Sequence, residues 1–298
     1  SSNNQDPKDH GRRDFVKMSV VAGLAIGAKG AAAAGLAIRE REVEIKTPDG
    51  VCDAFFAAPE SGRHPGVLLW PDAFGLRPAT RAMARRLGAE GYAVLVPNPF
   101  YRVAKAPFTD ASTFSFANPD DMAKLRPLMG SVNTGDNAMK DAAAYIAFID
   151  AQPETDTKKK IGTQGYCMGG PLVVRTAAQF PDRIGAGGSF HGGGLVTDQP
   201  TSPHLLAPKI KARMYFAVAA NDDARQPDAK TKLKEAFDAA GGHAEVELFA
   251  RAQHGWCMTD MPAGQAGHGL SVVEVYRKGL AQLLGGIDKR SPSGLLTL

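Results

Sequence analysis

The sequence predicts an α/β fold in which a mostly parallel central sheet carries helices on both faces. Short, continuous apolar runs such as residues 66–70 have the composition of buried parallel strands. Segments with apolar residues at helical spacing, such as residues 136–149, lie between these runs. Strands that alternate with helices are the pattern of a parallel sheet joined by crossover connections.

The predicted elements begin with an antiparallel hairpin at the sheet edge. Residues 41–47 alternate in polarity, and Asp49-Gly50 is a turn signal before a second strand at 52–58. Further strands are predicted at 66–70, 92–96, 161–166, 184–189, 214–219 and 246–249. Helices are predicted at 78–90, 136–149, 170–180, 230–240 and 272–284. Residues 97–135 have no clear period, and we expect a long loop or a cap over the functional site.

Composition indicates an ordinary globular protein, with a single α/β domain over residues 36–298. Of the 298 residues, 44% are hydrophobic and 22% charged, and the formal net charge is +4. The absence of a basic stripe with interleaved aromatic residues argues against nucleic-acid binding. The three cysteines, Cys52, Cys167 and Cys257, cannot all pair, which argues against a disulfide scaffold.

Residues 1–35 have the features of a targeting segment. Arg12-Arg13 precedes a weakly apolar run at 18–26 and small residues at 31–34, as in twin-arginine export signals. The apolar run is too short and too rich in glycine for a stable membrane span, although an amphipathic anchoring helix is the alternative. We expect the twin-arginine machinery to export the precursor to a bacterial periplasm, with a cytoplasmic location as the alternative. The mature chain would begin between Ala31 and Arg39.

The sequence Gly-Tyr-Cys-Met-Gly-Gly at residues 165–170 predicts a nucleophile. It follows a predicted strand and precedes a predicted helix, and glycines stand two residues either side of Cys167. Such small neighbours let a strand and a helix meet in a sharp turn that exposes the central side chain. The thiol would then lie at a helix N-terminus, where the dipole favours the thiolate. A buried structural cysteine beside a glycine-rich turn is the alternative.

A thiolate catalyst needs a base, and the base needs an acid that orients it. His254 is the candidate base, because it lies in a loop directly after the predicted strand 246–249. Asp223 is the preferred acid, since it stands four residues before Pro227, and Asp222 is the fallback. Either aspartate has an alternative role as a turn or capping residue.

Backbone amides supply the candidate oxyanion donors. The Met168 N–H is one, and the Ala73 N–H, in the loop after strand 66–70, is the other. Asp72 would lie beside the thiol, where a carboxylate opposes the thiolate and can hold the thiol proton at rest. His191 is expected either to line the pocket or to belong to a structural loop. The pocket candidates are Phe74, Arg102, Tyr166, His191 and Trp256.

Together these residues resemble the dienelactone hydrolase family of α/β-hydrolases, over about residues 40 to 285. The family elbow is matched by residues 165–170, its acid-x-Phe-Gly segment by residues 72–75 with Asp in place of Glu, and its histidine segment by residues 252–256. The family aspartate, four residues before a proline, matches Asp223. One family arginine is replaced by Met258, and Arg102 and Arg126 are unassigned candidates for another.

The resemblance implies hydrolysis of an ester or an enol-lactone such as dienelactone through an acyl-cysteine intermediate. In that mechanism the acid interacts with the cysteine, and neither a metal nor an organic cofactor is expected. The sequence has neither H-E-x-x-H nor a nucleotide-binding glycine loop. Three alternatives remain: a cysteine glutaminase, which usually has Glu where Trp256 stands; a non-catalytic binding protein; and a thiol-redox protein that uses Cys167 and Cys257.

Overall fold

The structure, a computed structural model, describes residues 35–261. The predicted targeting segment, apart from Gly35, and the predicted helix 272–284 lie outside these residues. Within the described range, no helix is long and apolar enough to cross a membrane.

The described part of the chain contains one eight-stranded sheet. Its strands are β1 (Ile38–Thr47), β2 (Gly50–Pro59), β3 (Gly66–Trp70), β4 (Ala93–Pro97), β5 (Ile161–Tyr166), β6 (Ile184–Phe190), β7 (Arg213–Ala219) and β8 (Ala244–Phe249). They are ordered β1-β2-β4-β3-β5-β6-β7-β8. The pairs β1/β2 and β2/β4 are antiparallel, and all other neighbours are parallel. The predicted mostly parallel sheet with an antiparallel hairpin at its edge is therefore confirmed.

Helices cover both faces of the sheet, as predicted. They are α1 (Pro78–Ala89), α2 (Pro119–Asn133), α3 (Asn137–Ala151), α4 (Gly169–Gln179), α5 (Ala220–Arg225) and α6 (Ala229–Ala239), with a 3-10 helix at Pro203–Lys209. Successive residues of β3 point to opposite faces. Leu69 therefore packs in the core under α1, with Leu87, whereas Leu68 packs in the core under α3 and α4, with Ile149 and Val173.

Residues 97–135 were expected to form a long loop or a cap, and their second half forms helix α2, which the sequence did not predict. Asn118 caps this helix, because its side chain accepts the Asp120 N–H at 2.9 Å, and Pro119 occupies the first turn. Pro127 inside the helix and a narrow buried stripe hide the helical period in the sequence. The first half remains a loop that contributes Phe116 to the site described below.

Candidate active site

Cys167 lies in the turn between β5 and α4 with φ of 50°, a left-handed conformation that is strained for any residue with a Cβ. A Cβ on Gly165 would stand 2.3 Å from the Gly169 carbonyl oxygen, and one on Gly169 would stand 2.6 Å from the Trp70 oxygen. Strand, turn and helix therefore approach so closely that only glycine fits at both positions. The turn has the geometry expected of a nucleophile elbow.

Backbone hydrogen bonds fix the turn to its neighbours. The Cys167 N–H donates to the Phe190 oxygen at 3.1 Å, and the Cys167 oxygen accepts the N–H groups of Gly170 and Gly193. The thiol is half-buried at the N-terminus of the 11-residue helix α4. This position favours a negative charge on sulfur through the helix dipole.

His254 contacts Cys167 from the loop after β8. Its Nδ1 lies 2.6 Å from Asp222 Oδ2, which leaves Nε2 for the hydrogen bond to Cys167. Its backbone N–H donates to Asn221 Oδ1 at 2.8 Å and fixes the loop. Burial lowers the pKa of the imidazole, but the hydrogen bonds to Asp222 and Cys167 outweigh burial and raise the pKa to about 10. The site therefore favours a protonated imidazole beside the sulfur.

The preference for Asp223 as the partner of His254 is wrong, because the structure brings Asp222 to the imidazole. Asp223 instead pairs with Lys230 at 2.5 Å. Both aspartates lie on the short helix α5, where consecutive side chains point about 100° apart. The rotation between these side chains decides which carboxylate faces the histidine loop. The distance in sequence from Pro227 gives no information about that rotation.

The two expected oxyanion donors belong to the loop after β3, where Ala73 lines the same cavity as Cys167, and to the residue that follows Cys167 in the turn. Within residues 35–261, the amides of Ala73 and Met168 donate to no backbone or side-chain acceptor, so both are available to a ligand. Ala73 belongs to a turn that closes where the Gly75 N–H donates to the Asp72 oxygen at 3.0 Å. Unpaired amides in a pre-formed turn are the usual construction of an oxyanion hole.

Asp72 is buried at the site. Its contacts do not support the expected role of holding the thiol proton. Arg77 donates to Asp72 Oδ1 at 2.6 Å and to Oδ2 at 2.9 Å. Oδ1 also accepts the Phe74 N–H at 3.0 Å. Both carboxylate oxygens are thus engaged by partners other than Cys167.

Cys167 and His254 open into a cavity of about 450 Å³. The other described lining residues are Asp72, Ala73, Phe74, Phe116, His191, Asn221, Arg225, Gln253, Gly255 and Met261. Phe74 packs edge-to-face on Phe116, with ring centroids 5.7 Å apart, so one wall is aromatic. Among residues 35–261, no group of three His, Cys, Asp or Glu side chains is arranged to hold a metal ion.

Of the described arginines and lysines, only Arg225 lines this cavity, and sequence reasoning did not single it out. Its side chain is 74% exposed and lies 3.5 Å from Asp222 Oδ1. Arg102, the pocket candidate, is elsewhere: it binds Asp49 at 2.6 Å and Asp141 at 2.7 Å. Arg102 therefore ties the β1–β2 turn to α3, and its assignment to the pocket is wrong.

The remaining pocket candidates divide into two groups. Phe74 and His191 line the cavity, whereas Tyr166 and Trp256 are buried behind it. The ring of His191 lies between those of His254 and Trp256, each with its centroid 5.0 Å away. Within the described residues, neither ring nitrogen of His191 has a hydrogen-bond partner. Burial, with His254 nearby, lowers the pKa of His191 well below its usual value, so this imidazole stays neutral.

Comparison with known proteins decides the family. The model of the dienelactone hydrolase family matches residues 52–274, which is more than half of the chain. The chain belongs to the dienelactone hydrolase family. A protein of Methylorubrum extorquens with the curated name "Putative carboxymethylenebutenolidase" is 27% identical over 86% of this chain and 87% of its own length. The carboxymethylenebutenolidase of Rhodococcus opacus is 25% identical over 66% and 72%, respectively.

Solved structures agree with this assignment to the dienelactone hydrolases. The structure titled m3DLH is 25% identical, covers 85% of this chain and all of its own, and superposes with a TM-score of 0.66. A dienelactone hydrolase-like promiscuous phosphotriesterase from metagenomic libraries is 22% identical. The match covers 84% of this chain and 99% of the other, with a TM-score of 0.67. The second likeness shows the α/β-hydrolase fold alone.

Two features of this family member were not visible in its sequence. Arg77 is a buried ion-pair partner for Asp72, although a lone arginine before a helix gives no signal of that role. Arg225 reaches the cavity because α5 turns it there, three residues beyond Asp222. Met258, where the family resemblance placed an arginine, is buried in the core with Trp256.

Proposed function

We propose that this member of the dienelactone hydrolase family is a thiol-dependent hydrolase of carboxylic esters or enol-lactones, with Cys167 as nucleophile, His254 as base and Asp222 as orienting acid. The observation that carries the proposal is the single imidazole that contacts both Cys167 and Asp222. This arrangement lies next to two amides that have no other acceptor in the described part of the chain. Nucleophile, base, orienting acid and oxyanion donors are the parts that acyl transfer requires.

In the proposed reaction, the resting site holds the thiol proton on His254. The Cys167 thiolate attacks the carbonyl carbon, and the carbonyl oxygen takes up negative charge between the Ala73 and Met168 amides. As the oxyanion collapses, the bond to the leaving oxygen breaks, and His254 gives its proton to that oxygen. Water then attacks the acyl-cysteine while His254 accepts one of its protons. As the second oxyanion collapses, the bond to sulfur breaks and the thiolate is released, while His254 keeps the proton that it took from water. The products are the carboxylic acid and the alcohol.

The substrate class is proposed from the charge of the cavity. Arg77 engages the carboxylates of both Asp72 and Asp260, and Asp222 faces the imidazolium of His254. Arg225 adds a positive charge to the cavity wall from a long, exposed side chain. A lactone or ester that bears a carboxylate fits this arrangement, with its apolar part against Phe74 and Phe116.

Replacement of Cys167 tests the nucleophile. We expect C167A to lower kcat for p-nitrophenyl acetate and dienelactone by about 10³-fold or more, because no other group can form the acyl intermediate. The matched control is C257A, since Cys257 is a buried free thiol outside the cavity, and it should retain activity. Turnover of both substrates by C167A at the wild-type rate would sink the assignment.

Replacement of Arg225 tests the substrate class. We expect R225Q to raise KM for dienelactone, which carries a carboxylate, by about 10-fold. This is roughly the effect of losing one exposed, charge-assisted hydrogen bond. The KM for neutral p-nitrophenyl acetate should stay unchanged. The matched control is R102Q, because Arg102 lies outside the cavity. Equal effects of R225Q on both substrates would contradict a carboxylate contact.

Two alternatives have direct assays of their own. A glutaminase would release ammonia from glutamine, but the position of its usual Glu is held by buried Trp256. A non-catalytic binding protein would leave Cys167 unreactive, so failure of iodoacetamide to label it at neutral pH would favour that class. We further propose, from the sequence of residues 1–35 alone, that the precursor is exported by the twin-arginine route to the periplasm; cell fractionation is its direct test.

A further inference from the structure

A second cavity, of about 150 Å³, adjoins the catalytic cavity. Arg225 lines both cavities. Two pairs of neighbouring residues also contribute one member to each: His191 lines the catalytic cavity and Gly192 the second one, as Asn221 and Asp222 do, respectively. The loop after β6 and the short helix α5 therefore form a wall that the two cavities share.

The charged groups of the second cavity carry an excess of positive charge. Arg225, Lys230 and Asp222 line it. Asp222 is paired with the protonated imidazole of His254, and Lys230 is paired with Asp223 at 2.5 Å. Arg225 makes only a long contact, 3.5 Å from Asp222 Oδ1, and its side chain is 74% exposed. Three cations thus face two carboxylates, which favours a ligand with a single negative charge.

Backbone amides add hydrogen-bond donors to this wall. Gly194, Leu195 and Val196 line the second cavity. Within residues 35–261, their N–H groups donate to no backbone or side-chain acceptor, although Leu195 and Val196 are buried residues. Buried amides are nearly always paired. These three donors are therefore available to a small anion, to which an amide binds more strongly than to a neutral acceptor.

The rest of the wall is apolar and restricts what can bind. Leu195, Val196, Val218 and Leu233 contribute apolar side chains to the lining. Inorganic phosphate would leave these groups without a contact. A carboxylate on a short alkyl chain combines one negative charge with carbons that can pack against them. The small volume excludes a long chain.

We propose that the second cavity is a binding site for a short-chain carboxylate, with the carboxylate held by Arg225 and the amides of residues 194–196 and the alkyl chain packed against Val218 and Leu233. The site is additional to the catalytic cavity, and ligand binding there does not require the proposed reaction. Its ligand belongs to the chemical class of the acid that ester hydrolysis would release. Because Arg225 lines both cavities, a bound carboxylate would occupy the cation that the proposed function assigns to the substrate.

The test titrates butyrate into the wild-type protein and follows the backbone amides by two-dimensional NMR. We expect the signals of Gly194, Leu195 and Val196 to shift until the site is saturated. Butyrate should bind about 10-fold more tightly than formate, because its chain is buried. Butyramide, which has the same shape without the charge, should cause no saturable shift.

Three variants locate the ligand. R225Q should weaken butyrate binding by about 10-fold, because it removes the unbalanced cation. A229L should weaken binding by more than about 10-fold, because Ala229 lines the second cavity, whereas it is not among the described residues that line the catalytic one. The matched control is A239L, which makes the same change at an exposed position of α6 and should bind butyrate as the wild type does.

Three results would overturn the inference. The first is a shift of the Ala73 and Met168 amides without a shift of residues 194–196, which would place butyrate in the catalytic cavity. The second is equal binding of butyrate and butyramide, and the third is wild-type affinity in A229L. If A229L does not fold, the first two results remain decisive, since both are measured on the wild-type protein.

Failure of the proposed function gives a different result, because the titration does not depend on turnover. Loss of activity in C167A tests that function, and butyrate binding tests the second site. If both hold, butyrate should raise KM for dienelactone in the wild type and leave it unchanged in A229L. Saturable shifts at residues 194–196 without a change in KM would support the second site and contradict the proposed contact between Arg225 and the substrate.

Discussion

The carboxylate of Asp222 does two things for His254 at once. It accepts the Nδ1–H at 2.6 Å, which fixes the tautomer that presents Nε2 to Cys167, and it stabilises the imidazolium. Asp223 is its neighbour in sequence and makes its ion pair with Lys230 instead. The two aspartates are therefore a matched pair for testing whether the carboxylate that contacts His254 serves the proposed reaction.

We predict that D222N lowers kcat for ester hydrolysis by about 10²- to 10⁴-fold, because an amide leaves the imidazole without a charged partner. D223N should change kcat by less than about twofold, since it disturbs only a partly exposed pair. Steady-state kinetics of both variants check the prediction. A larger loss in D223N than in D222N would reverse the assignment.

The sequence was sufficient to predict that Cys167 and His254 lie in one site, because local context determines their positions. A strand, a glycine-flanked turn and a helix expose the thiol, and a loop at the carboxyl edge of the sheet carries His254. It was not sufficient to choose Asp222, because that choice depends on the rotation of a single helical turn. Arg77 could not be recognised either, since its partner Asp260 lies 183 residues away.

At the scale of elements, the elbow depends on contact between two backbones. Gly165 on β5 and Gly169 on α4 leave no room for a methyl group, whereas a Cβ on Gly193 would have no atom within 4 Å. The loop that carries Gly193 still touches the elbow, because its N–H donates to the Cys167 oxygen. Adding a methyl group at Gly165 and at Gly193 therefore separates the effect of steric crowding from the effect of a substitution near Cys167.

We predict that G165A destabilises the protein by several kcal/mol, about the cost of severe overpacking, and reduces soluble yield. G193A should change the unfolding free energy by less than about 0.5 kcal/mol, as ordinary exposed sites do. Urea unfolding followed by circular dichroism provides the comparison. Equal stability of the two variants would contradict the close approach of β5 and α4.

Strands and helices could be predicted where their hydrophobic pattern is strong, but not where that pattern is weak or interrupted. Strands β3, β4 and β7 are short and mostly buried, and their apolar runs are visible in the sequence. Helix α2 exposes most of its surface and buries only Leu125, Leu128 and Val132. A stripe this narrow, interrupted by Pro127, gives little periodic signal.

At the scale of the whole molecule, charged groups with shifted pKa values set how stability varies with pH. The hydrogen bond from Arg41 lowers the pKa of Glu154 below 4.5, so its contribution is present above that value and is lost as the pH falls. The pKa of His254 is raised from 6.5 to about 10, so its contribution is complete below pH 6.5 and is lost as the pH rises towards 10.

We predict that the urea midpoint of unfolding is highest between about pH 5 and pH 6.5 and declines on both sides. H254N should flatten the alkaline decline, because it removes the group with the raised pKa. E154Q should flatten part of the acidic decline. Unfolding curves measured from pH 3 to pH 10 test both statements. An alkaline decline of the same size in H254N would show that other groups produce it.

The edge strand β1 would limit any proteolytic trimming of the residues before it. Its ten residues pair along the whole of β2, from Ile38 opposite Pro59 to Thr47 opposite Gly50. The Leu36 N–H already donates to the Ala89 oxygen at 2.8 Å. A cut far inside β1 would expose the hydrogen-bonding edge of β2, which invites association with another chain. If cleavage falls between Ala31 and Arg39, only a cut before Leu36 preserves these contacts. The hydrogen bonds of Leu36 and of β1 would therefore set the limit of trimming.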